Sequence, residues 1–79
     1  MTEDLFNFIY LKGKCYEKMR NFKQAILTYT QCTTLKTKHS KLYTRMAVCH
    51  KKLKNYEKTA ENLVQAIDIE ANSESEVEK

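Results

Sequence analysis

The sequence predicts an all-α protein made of two successive helical hairpins. Three observations carry this reading. A shift of 34 residues lays residues 6–36 on residues 40–70 without gaps. Apolar residues recur at helical spacing in both halves. The chain has no proline and only one glycine, Gly13, too few turn formers for an all-β sandwich or barrel.

The repeat is the strongest of the three. It pairs identical residues at Cys15/Cys49, Lys18/Lys52, Asn21/Asn55 and Gln31/Gln65. It also pairs like with like at Phe8/Leu42, Gly13/Ala47, Met19/Leu53, Arg20/Lys54, Phe22/Tyr56 and Leu35/Ile69. A fixed period of this length is the signature of stacked supersecondary units.

Each element follows in order. The first helix is expected over about Leu5–Met19, with Thr2 as its N-cap and Glu3 and Asp4 suited to the positive end of its dipole. Arg20-Asn21 is expected to break it, since Asn tolerates the left-handed conformation that ends helices. The second helix is expected over about Phe22–Lys36. Its apolar residues Phe22, Ala25, Ile26, Tyr29 and Cys32 share one face. The second half predicts a helix over Ser40–Leu53, a break at Lys54-Asn55 and a helix over Tyr56 to about Glu70. Tyr56, Ala60, Leu63 and Ile67 are read as the buried stripe of that last helix. Residues 1–71 thus form one module, with repeats at 6–39 and 40–71. Residues 72–79 read as a short disordered acidic tail.

These helix pairs resemble the tetratricopeptide repeat (TPR) family. The family pattern of large and small residues falls on Ile9, Gly13, Tyr16, Ala25, Tyr29 and Cys32 in the first repeat. In the second it falls on Tyr43, Ala47, His50, Thr59, Leu63 and Ala66. Departures are Lys12 at a usual leucine, His50 at an aromatic position and Thr59 at a small one. The resemblance implies a right-handed α-solenoid fragment of four antiparallel helices. Small residues would let helix axes approach to about 8–10 Å, and Ile69 would seat against a following repeat.

Chemistry of other kinds finds little support. The chain carries no Gly-rich phosphate loop and no hydrolase or zinc-protease motif, so an enzyme is not expected and no cofactor is implied. Cys49 and His50 are neighbours on one helix and point about 100° apart, so they read as packing residues. Cys15, Cys32 and Cys49 form no CxxC pair, and with His39 and His50 they match no metal-ligand spacing. Three unpaired cysteines suit a reducing, cytoplasmic setting, with a nuclear or organelle-associated scaffold also open. No apolar run has the length of a membrane span.

Charge is the informative feature. The net charge is +4, and the densest basic stretch runs from Lys36 to Lys58, with Glu57 its only acid. In a TPR array the first helices line a concave face. The resemblance places Asn7, Tyr10, Leu11, Lys14 and Lys18 of the first repeat there or at its edge, and Lys41, Thr44, Arg45, Val48 and Lys52 of the second, with Tyr10, Lys14, Lys18, Lys41, Arg45, Val48 and Lys52 as the candidate peptide-binding residues. Such a groove attracts an acidic protein or peptide. Lys41-Leu-Tyr43-Thr-Arg45-Met-Ala47 is similar to a first helix of the dicarboxylate-clamp TPR co-chaperones, which hold the EEVD tails of heat-shock chaperones. That similarity gives Lys41 and Arg45 the role of gripping a terminal carboxylate. Leu11, where the clamp proteins carry Asn, leaves the clamp half present.

The expectation is therefore a non-enzymatic adaptor that binds an acidic or C-terminal carboxylate peptide. The alternative is a structural TPR segment of a larger assembly, or an oligomerising fragment that self-associates through its exposed repeat ends. Nucleic-acid binding through the basic stretch is disfavoured, because Tyr43 and Tyr56 fall on positions read as buried and could not stack on bases.

Overall fold

The chain forms four helices: α1 (Thr2–Lys18), α2 (Phe22–Thr33), α3 (Ser40–Lys52) and α4 (Tyr56–Glu78). A computed structural model describes the backbone of residues 2–35 and 38–78, and side chains from residue 3 to residue 72 within those limits. Lys36, the expected end of the second helix and start of the basic stretch, lies outside the described residues. The four helices pack in sequence, α1 on α2, α2 on α3 and α3 on α4. The result is a slab only 17 Å thick in its thinnest direction.

The two intra-repeat turns are near copies of each other. Asn21 N–H donates to Tyr16 C=O at 2.9 Å, and Arg20 N–H donates to Glu17 C=O at 2.9 Å. Thirty-four residues later, Asn55 N–H donates to His50 C=O at 2.8 Å, and Lys54 N–H to Lys51 C=O at 2.9 Å. This paired arrangement is the Schellman motif, and it satisfies carbonyls that the helix end leaves open. It requires a left-handed residue, and Arg20 (φ 62°) and Lys54 (φ 64°) supply it. The expected asparagines play a different part. Asn21 caps α2, accepting from Gln24 N–H at 3.4 Å, and Asn55 does the same for Lys58 N–H at 3.4 Å.

Other boundaries shift for local reasons. Thr2, expected as a cap, is already helical. α2 ends at Thr33 amid a threonine-rich stretch whose hydroxyls turn back on the backbone. Thr30 donates to Ile26 C=O, Thr33 to Thr30 C=O and Thr34 to Gln31 C=O, and such local bonds compete with helix propagation. α3 is capped by His39, whose Nδ1 accepts from Leu42 N–H at 3.2 Å. α4 does not stop near Glu70 but continues to Glu78, through the stretch read as disordered. No Gly or Pro interrupts it, and Ala and Glu are good helix formers.

The core lies between the first repeat and α3. Phe6, Ala25, Tyr29, Cys32, Leu42, Met46 and Cys49 are buried together, with Ile9, Tyr10, Tyr16, Phe22 and Ile26 packed against them. Gly13 sits at the tightest point. A Cβ there would lie 2.5 Å from Tyr29 Cε1 and 2.7 Å from its Cδ1, closer than carbon atoms can approach. Only glycine lets the Tyr29 ring lie against α1.

The second repeat differs on its outer face. Tyr56, Ala60, Leu63 and Ile67, read as a buried stripe, are all exposed. α4 meets α3 instead through Thr59, Asn62, Ala66 and Ile69, which are buried or half-buried. Thr59 Oγ1 bonds Asn55 C=O at 2.9 Å and reaches Ala47 C=O on α3 at 3.4 Å. α2 packs against both α1 and α3, with Tyr29 lying on Gly13 and Tyr10 of α1, whereas among the described residues α4 packs chiefly on α3. Ile69, expected to seat against a further repeat, is half-buried beside Lys38 at the end of the first repeat and Ser40 and Lys41 of its own.

Candidate functional site

The groove begins with two helix faces. On α1, Tyr10, Lys14 and Lys18 project from successive turns. On α3, Lys41, Arg45, Val48 and Lys52 do the same, at spacings that share a helix face. A cavity of about 640 Å³ is lined by Tyr10, Lys14, His39, Lys41, Thr44, Arg45 and Glu70. A smaller one, about 210 Å³, is lined by Lys14, Glu17, Lys18, Arg20, Phe22, Arg45, Val48 and Lys52. Lys14 and Arg45 line both, so the two are parts of one groove. Of the ten residues that the resemblance places in the groove or at its edge, eight line these cavities, and Asn7 and Leu11 are not among the lining residues.

Two acids also line it, and the sequence reading missed both. Glu70, from α4, stands at the edge of the larger cavity. Glu17, from α1, forms the floor between the two helices. Arg45 grips Glu17 in a bidentate pair, Nε to Oε1 at 2.9 Å and Nη2 to Oε2 at 2.8 Å. Tyr29 hydroxyl donates to the same Oε1 at 2.5 Å. The Glu17 side chain is only 9% exposed, against 42% for Arg45. The guanidinium fork therefore already holds a carboxylate, one that belongs to the chain itself.

The electrostatics follow from this triad. The hydrogen bonds that Arg45 donates to Glu17 hold its pKa above the ordinary value, outweighing the cost of partial burial. Burial first, then the Glu17 hydrogen bond, raises Tyr29, which stays a neutral donor. Burial also raises Tyr10, with Arg45 opposing it. Lys14 Nζ lies 5.7 Å from the Tyr10 ring centroid, within cation–π range.

A sequence signal for Glu17 exists. The 34-residue shift pairs it with Lys51, and pairs Leu11 with Arg45. The repeats thus differ in charge at several positions, the two that meet as Glu17 and Arg45 among them. The same shift pairs Glu70 with Lys36, but Glu70 reaches the groove through the way α4 crosses α3, which the repeat does not show.

Cys49 and His50 behave as packing residues. Cys49 is fully buried, and burial pushes its thiol up to about 12, with Glu17 adding and Arg45 opposing. That leaves almost no thiolate at neutral pH. His50 is half-buried with Nδ1 enclosed and unpartnered, and burial, aided by Lys58, lowers its pKa. Tyr43 is half-buried, but Tyr56 is 63% exposed, contrary to the reading that both are buried.

A groove between the first helices of two 34-residue hairpins, joined by identical turns, is the geometry of one family. The family model described as tetratricopeptide repeat matches residues 6–39 and again 40–73. The chain belongs to the tetratricopeptide repeat family. This is a protein-interaction fold, and its members act by binding rather than by catalysis. The chain is 31% identical over 68 residues to sperm-associated antigen 1 of Mus musculus, and 29% identical over 69 residues to that of Rattus norvegicus. The matches span 86% and 87% of this chain but 8% of either relative. No solved structure matches.

Proposed function

We propose that this TPR module is an adaptor whose groove binds an acidic segment of a partner protein, most tightly one that ends in a free carboxylate. The observation that carries the reading is the gathering of Lys14, Lys41 and Arg45 around one 640 Å³ cavity, with Glu70 as its only acidic lining residue among the described residues. Low-dielectric walls concentrate the field of such a cluster. Lys14 and Lys41 are the cations free for an incoming carboxylate. Arg45 is committed on its Nε–Nη2 edge and offers a ligand its remaining N–H groups. Tyr10 and Val48 supply contact surface, while Lys18 and Lys52 extend the positive field along the groove.

The Arg45–Glu17 pair changes how this is tested. Arg45→Ala would strand a nearly buried carboxylate and disturb the fold, so loss of binding by that variant alone decides nothing. Lys41→Ala leaves the core intact. A short peptide ending in EEVD is titrated with a free or amidated C-terminus, against wild type, Lys41→Ala and Lys14→Ala. The reading expects the free acid to bind, to weaken as salt rises, and to lose about tenfold, roughly 1.4 kcal/mol, on amidation or Lys41→Ala. Equal binding of both peptides to wild type and Lys41→Ala overturns it. A second reading, a structural segment whose basic face serves only solubility, is favoured by the exposed stripe on α4 and by the internal partner of Arg45.

A further inference from the structure

We propose that the smaller cavity of the groove is a binding site for a phosphorylated side chain on the acidic segment of the partner protein. The site stands on its own geometry, and only the spacing argued below rests on the carboxylate reading of the larger cavity. The two cavities differ in charge. Lys14, Lys41 and Arg45 face Glu70 in the larger one. Lys14, Lys18, Arg20, Arg45 and Lys52 line the smaller one, and Glu17 is its only acid among the described residues. The positive pole of the groove therefore lies at the C-terminal ends of α1 and α3 rather than at Lys41. Helix dipoles favour lysines at such ends. That accounts for Lys18 and Lys52 one at a time, but not for Lys14 and Arg20 converging on the same hollow.

The nearby acids do not cancel this charge. Both oxygens of Glu17 accept from Arg45, and one also accepts from Tyr29. Glu3 and Asp4 stand on the first turn of α1, at the far end of the helix from Lys18. α3 carries no acid, and Glu57 on the first turn of α4 does not line the hollow. Lys14, Lys18, Arg20 and Lys52 thus keep their charge for a ligand. Arg20 is also held in place. Its backbone is the left-handed residue of the turn, and its guanidinium lies 5.7 Å from the Phe22 ring centroid. Phe22 and Val48 give the hollow an apolar wall, which strengthens the field of the cations beside it. A carboxylate brings one charge and two oxygens. A phosphate monoester brings a charge of nearly −2 and three strong acceptor oxygens, so it matches four cations better. Spacing follows from the helix. Lys41 and Lys52 mark the outer ends of the two cavities, eleven residues apart on α3, or about 16 Å. An extended segment covers about 3.3 Å per residue. A phosphate in the hollow therefore sits about five residues before a terminal carboxylate held at Lys41.

The probes are peptides ending in Ser-Gly-Glu-Glu-Val-Asp, with the serine phosphorylated or not and the C-terminus free or amidated, titrated against the full chain. Phosphorylation is expected to tighten binding about tenfold, and phosphoserine moved next to the C-terminal residue to lose most of that gain. Lys18→Ala combined with Lys52→Ala is expected to abolish the gain, and both positions are exposed, so the core is untouched. Lys23→Ala combined with Lys51→Ala removes the same charge from exposed positions outside the hollow and is expected to keep most of it. The two readings fail separately. A phosphate gain that survives amidation upholds the hollow, and amidation without effect on either peptide overturns the carboxylate reading alone. A free-acid effect with no phosphate gain overturns the present proposal alone. Equal loss from the two double variants also overturns it, since the hollow would then be part of a diffuse field. So does an equal gain from the moved phosphoserine in a peptide whose free carboxylate counts. Vesicles carrying a phosphoinositide that bind through Lys18 and Lys52, while the phosphopeptide does not, would assign the hollow to a membrane surface and overturn it as well.

Discussion

The two repeats share a turn almost atom for atom and diverge in what lies on their second helices. Arg20 and Lys54 adopt the same left-handed conformation, and Asn21 and Asn55 make the same cap. Yet Tyr29 is fully buried, while its counterpart Leu63 is 42% exposed. Nothing in the local pattern of α2 and α4 produces this difference. α2 is packed between α1 and α3, whereas among the described residues α4 packs chiefly on α3 alone. Local structure in this chain is set by the repeat, and burial is set by the neighbour. In such arrays interface terms between units supply much of the stability.

The largest test of the comparison concerns Gly13 and Ala47. The first repeat pairs Gly13 with Tyr29, and the second pairs Ala47 with Leu63. Gly13→Ala drives a methyl group to 2.5 Å from a buried, rigid ring. The expected loss is about 3 kcal/mol, the upper end for overpacking. The chemical denaturation midpoint should report it. Tyr29→Leu alone also destabilises, through the cavity it leaves and the lost bond to Glu17. The combination Gly13→Ala with Tyr29→Leu recreates the second repeat's pairing. It should be no less stable than Tyr29→Leu by itself, a non-additivity expected of residues in contact. Full additivity would mean that the Gly13 requirement comes from something other than the ring.

A smaller effect comes from His50, whose counterpart is Tyr16. Burial and Lys58 lower the His50 pKa from its ordinary 6.5, so the unfolded chain binds this proton more tightly than the folded one. The sign follows: the His50 contribution is fully present above about pH 6.5 and is lost as pH falls through and below it. His50→Tyr removes that loss and the unpartnered Nδ1. The variant should gain on wild type as pH falls from roughly 7.5 to roughly 5. Denaturation at the two pH values measures this, and the other titrating groups, His39 included, cancel between the two proteins. A gain that is the same at both pH values would assign the effect to packing alone.

These tests also mark what was legible in the sequence. The period, the four helices and most of the basic residues lining the groove could be read, because each depends on spacing along the chain. The exposure of Tyr56, Leu63 and Ile67 could not. Periodicity says that a face is apolar and is silent on whether anything lies on it. Glu17 was within reach, through its reversed charge against Lys51, but a search for matches passes over mismatches. The turn shows a subtler limit. Asn suits both the left-handed residue and the N-cap, so its presence marked the break without saying which role it plays. The hydrogen bonds of the Schellman motif put the left-handed position one residue earlier.

That last point gives the smallest and most local test. A residue with a Cβ at positive φ costs roughly 1–2 kcal/mol. Glycine removes this strain but gives back part of it as greater freedom in the unfolded chain. Arg20→Gly and Lys54→Gly should each therefore stabilise by about 0.5–1 kcal/mol, and thermal or denaturant unfolding can resolve this. Arg20 also lies 5.7 Å from the Phe22 ring centroid, an exposed cation–π contact worth about 0.5–1 kcal/mol. Arg20→Gly loses this contact and Lys54→Gly has none of the kind to lose, since no such contact is found at Lys54 among the described residues. The gain at Lys54 should thus exceed the gain at Arg20 by a few tenths of a kcal/mol or more. Equal gains would show that the Phe22 contact contributes nothing and that the two turns are alike in energy as well as geometry. A loss at Lys54 would mean that its side chain does something in the second turn that neither its backbone angles nor its counterpart in the first repeat reveals.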